Sequence, residues 1–429
     1  GWAWLGEDPA AVRELTVRVM PFVVLVCLAA LATGALHVRG RFAAPALAPA
    51  AMNVAWIATL VGIGFAFGWT GPSPSELGEA GDVGASRHMS MARVLAWGVL
   101  AAGALQLVVQ WPALRAAGFL GGPREAAPLD PRAPRPVDVL KRAAPLALGA
   151  AVYQINVMVD GLMAEGLLRD GGPTIHYFAN RVQQFPLALV AMAATSAVFP
   201  ALQQLGHRGE RGALRRLHDR THLAVAAVAL PAAVGLFALS EPVVEVSFER
   251  GAFGREGVER TTLALQVLCF AILPAGATGL VARTYYALGD FATPVKISAA
   301  MLALNVVLNL LLLMGFGLDV EGLAAATVTT SVLNVALLVP GLTRRLGLPR
   351  TEVAFVPLLS RILAASVLCG LAARGAEGAL DDVVGRTAAL GAAIAAGGAV
   401  YVGSAIAFGV DDVRLLVRRV RAKLFGNRV

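Results

Sequence analysis

Apolar runs of about twenty residues recur along the whole chain with short polar connections between them. A run of that length crosses the hydrocarbon core of a bilayer as one helix. We read eleven such runs, at residues 16–36, 45–67, 91–111, 143–165, 177–200, 221–240, 262–285, 295–316, 320–342, 354–374 and 386–408. They are continuous rather than alternating and rich in Ala, Leu and Gly, which excludes a membrane β-barrel. The pattern predicts an all-α polytopic membrane protein.

The order of these spans contains a repeat. In the first copy, Phe42-Ala-Ala-Pro45 follows a long apolar segment, as Phe291-Ala-Thr-Pro294 does in the second. LQLVVQWPAL (105–114) aligns with LNVALLVPGL (333–342), which sets Pro112 on Pro340. The first three spans therefore match the seventh to ninth. Both copies start on the same side, so the repeat is parallel, with its axis along the membrane normal. Spans four to six have no upstream partner, and three further helices are expected before Gly1. The expected architecture is two pseudo-symmetric bundles, the first incomplete, plus an extra C-terminal helix pair. Its divisions are a partial bundle at 1–120, a Pro- and Arg-rich linker at 121–142, a six-helix bundle at 143–345, the extra pair at 346–408 and a basic tail at 409–429.

Composition agrees: 57% of residues are hydrophobic, only 15% are charged, and the mean hydropathy is +0.69. Soluble domains carry about 25% charged residues. The net charge of +8 would suggest nucleic acid in a soluble protein, but here its distribution points to membrane orientation. Alternate connections hold 22 Lys and Arg on one side and six on the other. The basic side is expected to be cytoplasmic, with Gly1 outside and the C-terminus inside. Residues 201–222, rich in Arg and His, read as a basic interfacial helix. The three cysteines, Cys27, Cys269 and Cys369, lie apart in apolar runs and read as buried hydrophobes. No Walker motif, nucleophile elbow or HExxH spacing occurs, so an enzyme has little support.

Ionisable residues within spans are costly and point to function. Two stand out, Asp160 and Arg181. Tyr177, Asn180, Arg181 and Gln184 fall at i, i+3, i+4 and i+7 and form one polar stripe. A guanidinium there offers a planar fork suited to phosphate or diphosphate; a snorkelling or ion-paired structural arginine fits equally well. Asp160 lies one turn from Asn156, while Asn305 and Asn309 lie one turn apart on the eighth span and Thr327 sits on the ninth. Their oxygens could coordinate Na⁺ as a metal site. The same groups could serve as interhelical hydrogen-bond glue, or Asp160 could pair with Arg181. Gln106 and Gln110 read as packing.

QINVMVDGLMA (154–164), YFANRVQQFPLALVAMAATSAVFPAL (177–202), FERGAF (248–253), YYALGDFATPVKI (285–297) and GALQLVVQWPALRAAGF (103–119) together resemble the MurJ (MviN) family of lipid II flippases. This family belongs to the multidrug/oligosaccharidyl-lipid/polysaccharide exporter superfamily. The resemblance runs along essentially the whole chain. It implies a fourteen-helix fold of which this chain matches helices four to fourteen, and movement of lipid II across the bacterial cytoplasmic membrane by alternating access. Lipid II and membrane lipids are then the partners, and cell-wall synthesis proteins are partners such a role would bring. The pair at 354–408 resembles the part that forms a groove for the polyprenyl tail. Arg181 matches the family's cavity arginine in a Tyr-Ala-Asp-Arg motif, with Asn180 at the position of the usual Asp. Na⁺ or the membrane potential is the expected coupling, with no other cofactor. The alternatives are an exporter of other polyprenyl-linked glycans or drugs, and a non-transporting membrane scaffold derived from a flippase.

Overall fold

The computed structural model describes residues 9–67, 81–119, 136–195, 198–251, 253–346, 355–410 and 413–414. These are almost wholly helical, with an isolated bridge between Arg250 and Phe253 and no strand among the described residues. Most of the expected linker, and the tail beyond 414, lie outside the described residues. The last part of that linker is helical, because the fifth helix already begins at Pro136.

The chain divides into two compact units, Gly1–Ala133 and Pro134–Val429. The first contains α1 (Pro9–Val19), α2 (Pro21–Val38), α3 (Ala43–Phe67) and α4 (Gly81–Ala116). Small residues let these helices approach closely, as membrane packing requires. A Cβ at Gly103 would fall 2.8 Å from the Phe22 ring, and one at Gly98 would collide with Thr59. Gln110 is fully buried between α2 and α4. It accepts from the Thr33 hydroxyl at 3.1 Å and donates to the Ala29 carbonyl at 3.3 Å. Gln106 donates to Met52 Sδ. Both glutamines thus hold helices together.

The second unit contains α5 (Pro136–Leu167), α6 (Gly172–Thr195), α7 (Phe199–His207), α8 (Arg211–Ala238), α9 (Ser240–Phe248), α10 (Arg255–Cys269), α11 (Ile272–Ala287), α12 (Ala292–Leu310), α13 (Val320–Leu346), α14 (Phe355–Val384) and α15 (Arg386–Ala407). Among the described residues eight helices are long and apolar enough to cross a membrane, or nine if α10 and α11 form one bent span. That is fewer than the expected eleven. Helix α6 is outside this set because its polar stripe dilutes its hydropathy. Two expectations are corrected. The span at 262–285 is broken, with α10 and α11 meeting at 41°. The basic segment 201–222 is not one interfacial helix: it is divided by a turn at Gly209, and α8 runs from Arg211 straight into the apolar span.

The repeat is visible in backbone detail. Gly40 and Gly289, each five residues before the matched proline, take left-handed φ angles of 69° and 79°. Both close the same helix stop. Arg41 N–H donates back to Leu36 O at 2.9 Å, and Asp290 N–H to Tyr285 O at 3.0 Å, the six-to-one bond of a Schellman turn. Pro45 and Pro294 then sit in the first turns of α3 and α12, where a missing N–H costs nothing. The copies differ at the next residue. Asp290 pairs with Arg345 at 2.7 Å and accepts from Thr293, while Arg41 caps the Ala116 carbonyl. Burial raises the Asp290 pKa, but the Thr293 bonds and Arg345 outweigh it and hold the carboxyl below its usual range.

The helix pair α14–α15 packs on the rest of its unit through α8. Gly397 on α15 sits so close to α14 that a Cβ would lie 2.9 Å from Ala373. Tyr401 donates to the Ala227 carbonyl on α8 at 2.5 Å.

Candidate functional site

Helix α6 has two faces of opposite character. Tyr177, Arg181 and Gln184 are exposed along one, as their i, i+4, i+7 spacing requires. Ile175, Ala179 and Val190 are buried on the other. Arg181 makes no ion pair among the described residues; it donates to Gln184 Oε1 at 3.5 Å. Apart from the N–H turned to Gln184, its donors make no hydrogen bond among the described residues and can meet a ligand. The pairing with Asp160 held open above does not occur.

Asn180 leaves the stripe. It is half-buried and donates to the His176 carbonyl at 3.0 Å, one turn back, with its amide also against the His176 ring. At i+3 from Tyr177 it lies at the edge of the polar face, and the backbone carbonyl draws it in.

The Asp160 group is sealed. Asp160 on α5 is 6% exposed, and Asn305 and Asn309 on α12 are 1% and 0%. Asp160 accepts from Asn156 Nδ2 and from Asn309 Nδ2, each at 2.9 Å. The Asn309 amide also donates to Asn305 Oδ1 at 3.1 Å. No cationic side chain pairs with Asp160 among the described residues. Asn309 Oδ1 is buried with no hydrogen-bond partner, as is Asn305 Nδ2. Directly after Asn309, α12 loosens into a π-helical turn at Leu311–Gly315, a feature that recurs at functional sites. Asp160, Asn305 and Asn309 are thus brought together. Thr327, half-buried on α13, shares no hydrogen bond with them among the described residues. The Asn309 amide nitrogen lies between Asp160 Oδ1 and Asn305 Oδ1, and turning that amide over would bring its unused oxygen to face both, three oxygens of the kind a hard cation takes.

Gln183 is a polar residue that the sequence reading missed. It is 4% exposed and donates to the Leu268 carbonyl on α10 at 2.7 Å. The signal was the Gln183-Gln184 pair itself: neighbours on a helix point about 100° apart, so both cannot join one stripe. Near the start of α6, Phe178 stacks on Phe248 at 4.1 Å and meets Phe253 edge-on at 5.3 Å. The two outer phenylalanines of FERGAF thereby grip α6.

Comparison with known proteins adds the family. The family described as lipid II flippase MurJ matches residues 6–382. A probable lipid II flippase MurJ of Bdellovibrio bacteriovorus is 30% identical over 83% of this chain and 63% of its own length. One from Rhizobium meliloti is 30% identical over 96% of this chain and 74% of its own. The chain thus spans about two thirds to three quarters of these relatives. A solved lipid II flippase MurJ in an inward closed conformation has the same fold, with a TM-score of 0.66 at 18% identity over 94% of this chain and 75% of that one.

Proposed function

Because the chain belongs to the MurJ lipid II flippase family, we propose that it takes part in moving lipid II across the bacterial cytoplasmic membrane by alternating access. In this reading Arg181 receives the diphosphate of the lipid, and its side chain is the observation that carries the proposal. A permanent charge that is exposed on its helix, lacks an acidic partner among the described residues and is flanked by Tyr177 and Gln184 is arranged to meet an anion. The guanidinium fork supplies two parallel donors to a phosphate, and the tyrosine and glutamine supply further polar contacts. The pair α14–α15 is the part we assign to the polyprenyl tail. Leu371 and Ile394 present apolar surface there, at 66% and 56% exposure.

The decisive experiment is complementation. Arg181→Ala in the full-length protein, expressed in cells depleted of their own flippase, is expected to abolish growth while membrane insertion is retained. Normal growth would remove Arg181 from the mechanism. Promiscuous transport that tolerates the change would favour an exporter of other glycans or drugs.

We also propose that Asp160, Asn305 and Asn309 hold Na⁺, which couples transport to the ion gradient. A buried membrane carboxylate without a cationic partner is costly, and the unused Asn309 oxygen supports a cation as its remedy. Sodium, unlike potassium, should then shift the thermal midpoint of the purified protein, and Asp160→Asn should erase that difference.

A further inference from the structure

The break between α10 and α11 lies against the buried face of α6. Its 41° bend spans Cys269 to Ile272. Pro274, in the first turn of α11, has no N–H to give to Phe270, so the ladder of a straight helix cannot run through this point. Two residues before Phe270, the Leu268 carbonyl accepts from Ala271 N–H at 2.9 Å, a tighter turn, and from Gln183 Nε2 at 2.7 Å. Discontinuous membrane helices are tolerated when a neighbouring helix satisfies the freed backbone in this way.

Above and below that bond, α6 is held by packing. Phe178 sits in the aromatic grip of Phe248 and Phe253. Val190 is fully buried against Gly276 of α11, where a Cβ would approach Val190 Cγ1 to 2.6 Å. Val258 and Leu265 of α10 share a buried core with Ile175 and Ala179 of α6, so the bent pair touches α6 on both sides of the bend, and Gln183 is the polar tie at the bend itself. Arg181 is two residues away on the opposite face. A change of the α10–α11 angle must either break the Gln183 bond or carry this turn of α6 with it.

We propose that Gln183 is a positioning residue, which couples the presentation of Arg181 to the bend between α10 and α11. The proposal rests on the reading of Arg181 as the diphosphate ligand, and it makes the bend the hinge that ligand binding moves. Gln183 does not touch the ligand; it transmits.

Cys269, at the bend and 3% exposed, is a native reporter. With Cys27→Ser and Cys369→Ala as background, its alkylation by N-ethylmaleimide measures how often the bend opens. A second, ligand-free reading comes from Gln184→Cys in the same background with Cys269→Ala, labelled by a water-soluble methanethiosulfonate. Gln183→Leu, nearly equal in volume, is expected to speed Cys269 alkylation about fivefold, the factor corresponding to one lost hydrogen bond. It should also change the labelling rate at position 184 by a similar factor. Gln183→Asn, one methylene too short to reach, should act in the same direction and guards against a folding defect in the leucine variant. Purified lipid II should alter the Cys269 rate in the otherwise native chain and not in Gln183→Leu, although that variant still binds lipid II. Native rates at both positions in both variants would overturn the coupling. If instead lipid II binds equally well to Arg181→Ala, the functional reading fails, while the two ligand-free rates still decide whether Gln183 ties α6 to the bend.

Discussion

Arg181 and Asp160 are both ionisable residues on helices of the same unit, but the fold treats them in opposite ways. Arg181 stands exposed without an ion pair among the described residues, whereas Asp160 is enclosed and its two oxygens are met by Asn156 and Asn309. An exposed charge keeps its hydration until a ligand replaces it, so its contribution appears in binding. An enclosed charge has already lost water, so its contribution appears in stability, unless an ion enters to share it. The comparison therefore predicts two kinds of mutant. Changes at Arg181 should cost affinity and leave folding intact; changes at Asp160 should show first in folding and in its response to sodium.

The largest effect is expected from Arg181→Ala. Hydrogen bonds to charged groups are worth about 1.5–3 kcal/mol, so lipid II affinity should drop by about 10–100-fold. The thermal midpoint should stay where it was. Arg181→Lys should recover only part of the affinity, because an ammonium cannot make the two parallel bonds of the fork. A titration with purified lipid II checks both. A large loss of stability in Arg181→Ala would erase the contrast by showing that the guanidinium supports the fold.

Next comes Asp160→Leu, which takes the carboxylate from the half-buried Asn156 amide and leaves the buried Asn309 amide only its bond to Asn305. A buried donor left unmade costs about 1–3 kcal/mol, and thermal unfolding of the purified protein should register it. Asn309→Asp sharpens the same point. Two neighbouring carboxylates repel each other unless a cation lies between them. The variant should be less stable than the parent in potassium and regain most of that loss in sodium. Equal loss in both salts would leave Asn309 as interhelical glue.

These contrasts were only partly legible in the sequence. Period alone found the stripe of Tyr177, Arg181 and Gln184, because the exposed face of a helix is fixed by its 3.6-residue turn. It could not place Asn180, whose partner is a backbone carbonyl in its own preceding turn. Asn305 and Asn309 were readable as one turn apart on a span, but their meeting with Asp160 depends on α5 packing against α12, which no local pattern encodes. Thr327 was included by spacing on a third helix and does not join them. The repeat was read from Phe-Ala-x-Pro, although Gly40 and Gly289 carry the stronger physical reason, since each must turn left-handed to stop its helix. The bend was missed because Leu268 to Leu273 is uniformly apolar. Pro274 was the available signal, as a proline at that place starts a helix more readily than it continues one.

A smaller effect is expected at Tyr177, which is 60% exposed beside Arg181. A single neutral hydrogen bond contributes about 1 kcal/mol, so Tyr177→Phe should weaken lipid II binding by roughly fivefold or less. Gln184→Leu belongs in the same range.

The smallest effect should come from Asn180→Ala, and this separates membership in the stripe from mere proximity to it. The Asn180 side chain is already spent on His176, at 3.0 Å to its carbonyl and 3.1 Å to its ring nitrogen. Its removal frees a carbonyl that still has its helical N–H partner, so folding should lose about 1 kcal/mol at most and lipid II affinity should stay within about twofold. Asn180→Asp tests the electrostatic side of the argument. A carboxylate one residue from Arg181 would compete with the diphosphate for the guanidinium, and the penalty should shrink as salt screens it. If Asn180→Ala instead weakens binding as strongly as Arg181→Ala, the amide must turn away from His176 to meet the ligand, and the site would extend to the side of α6 that now faces His176.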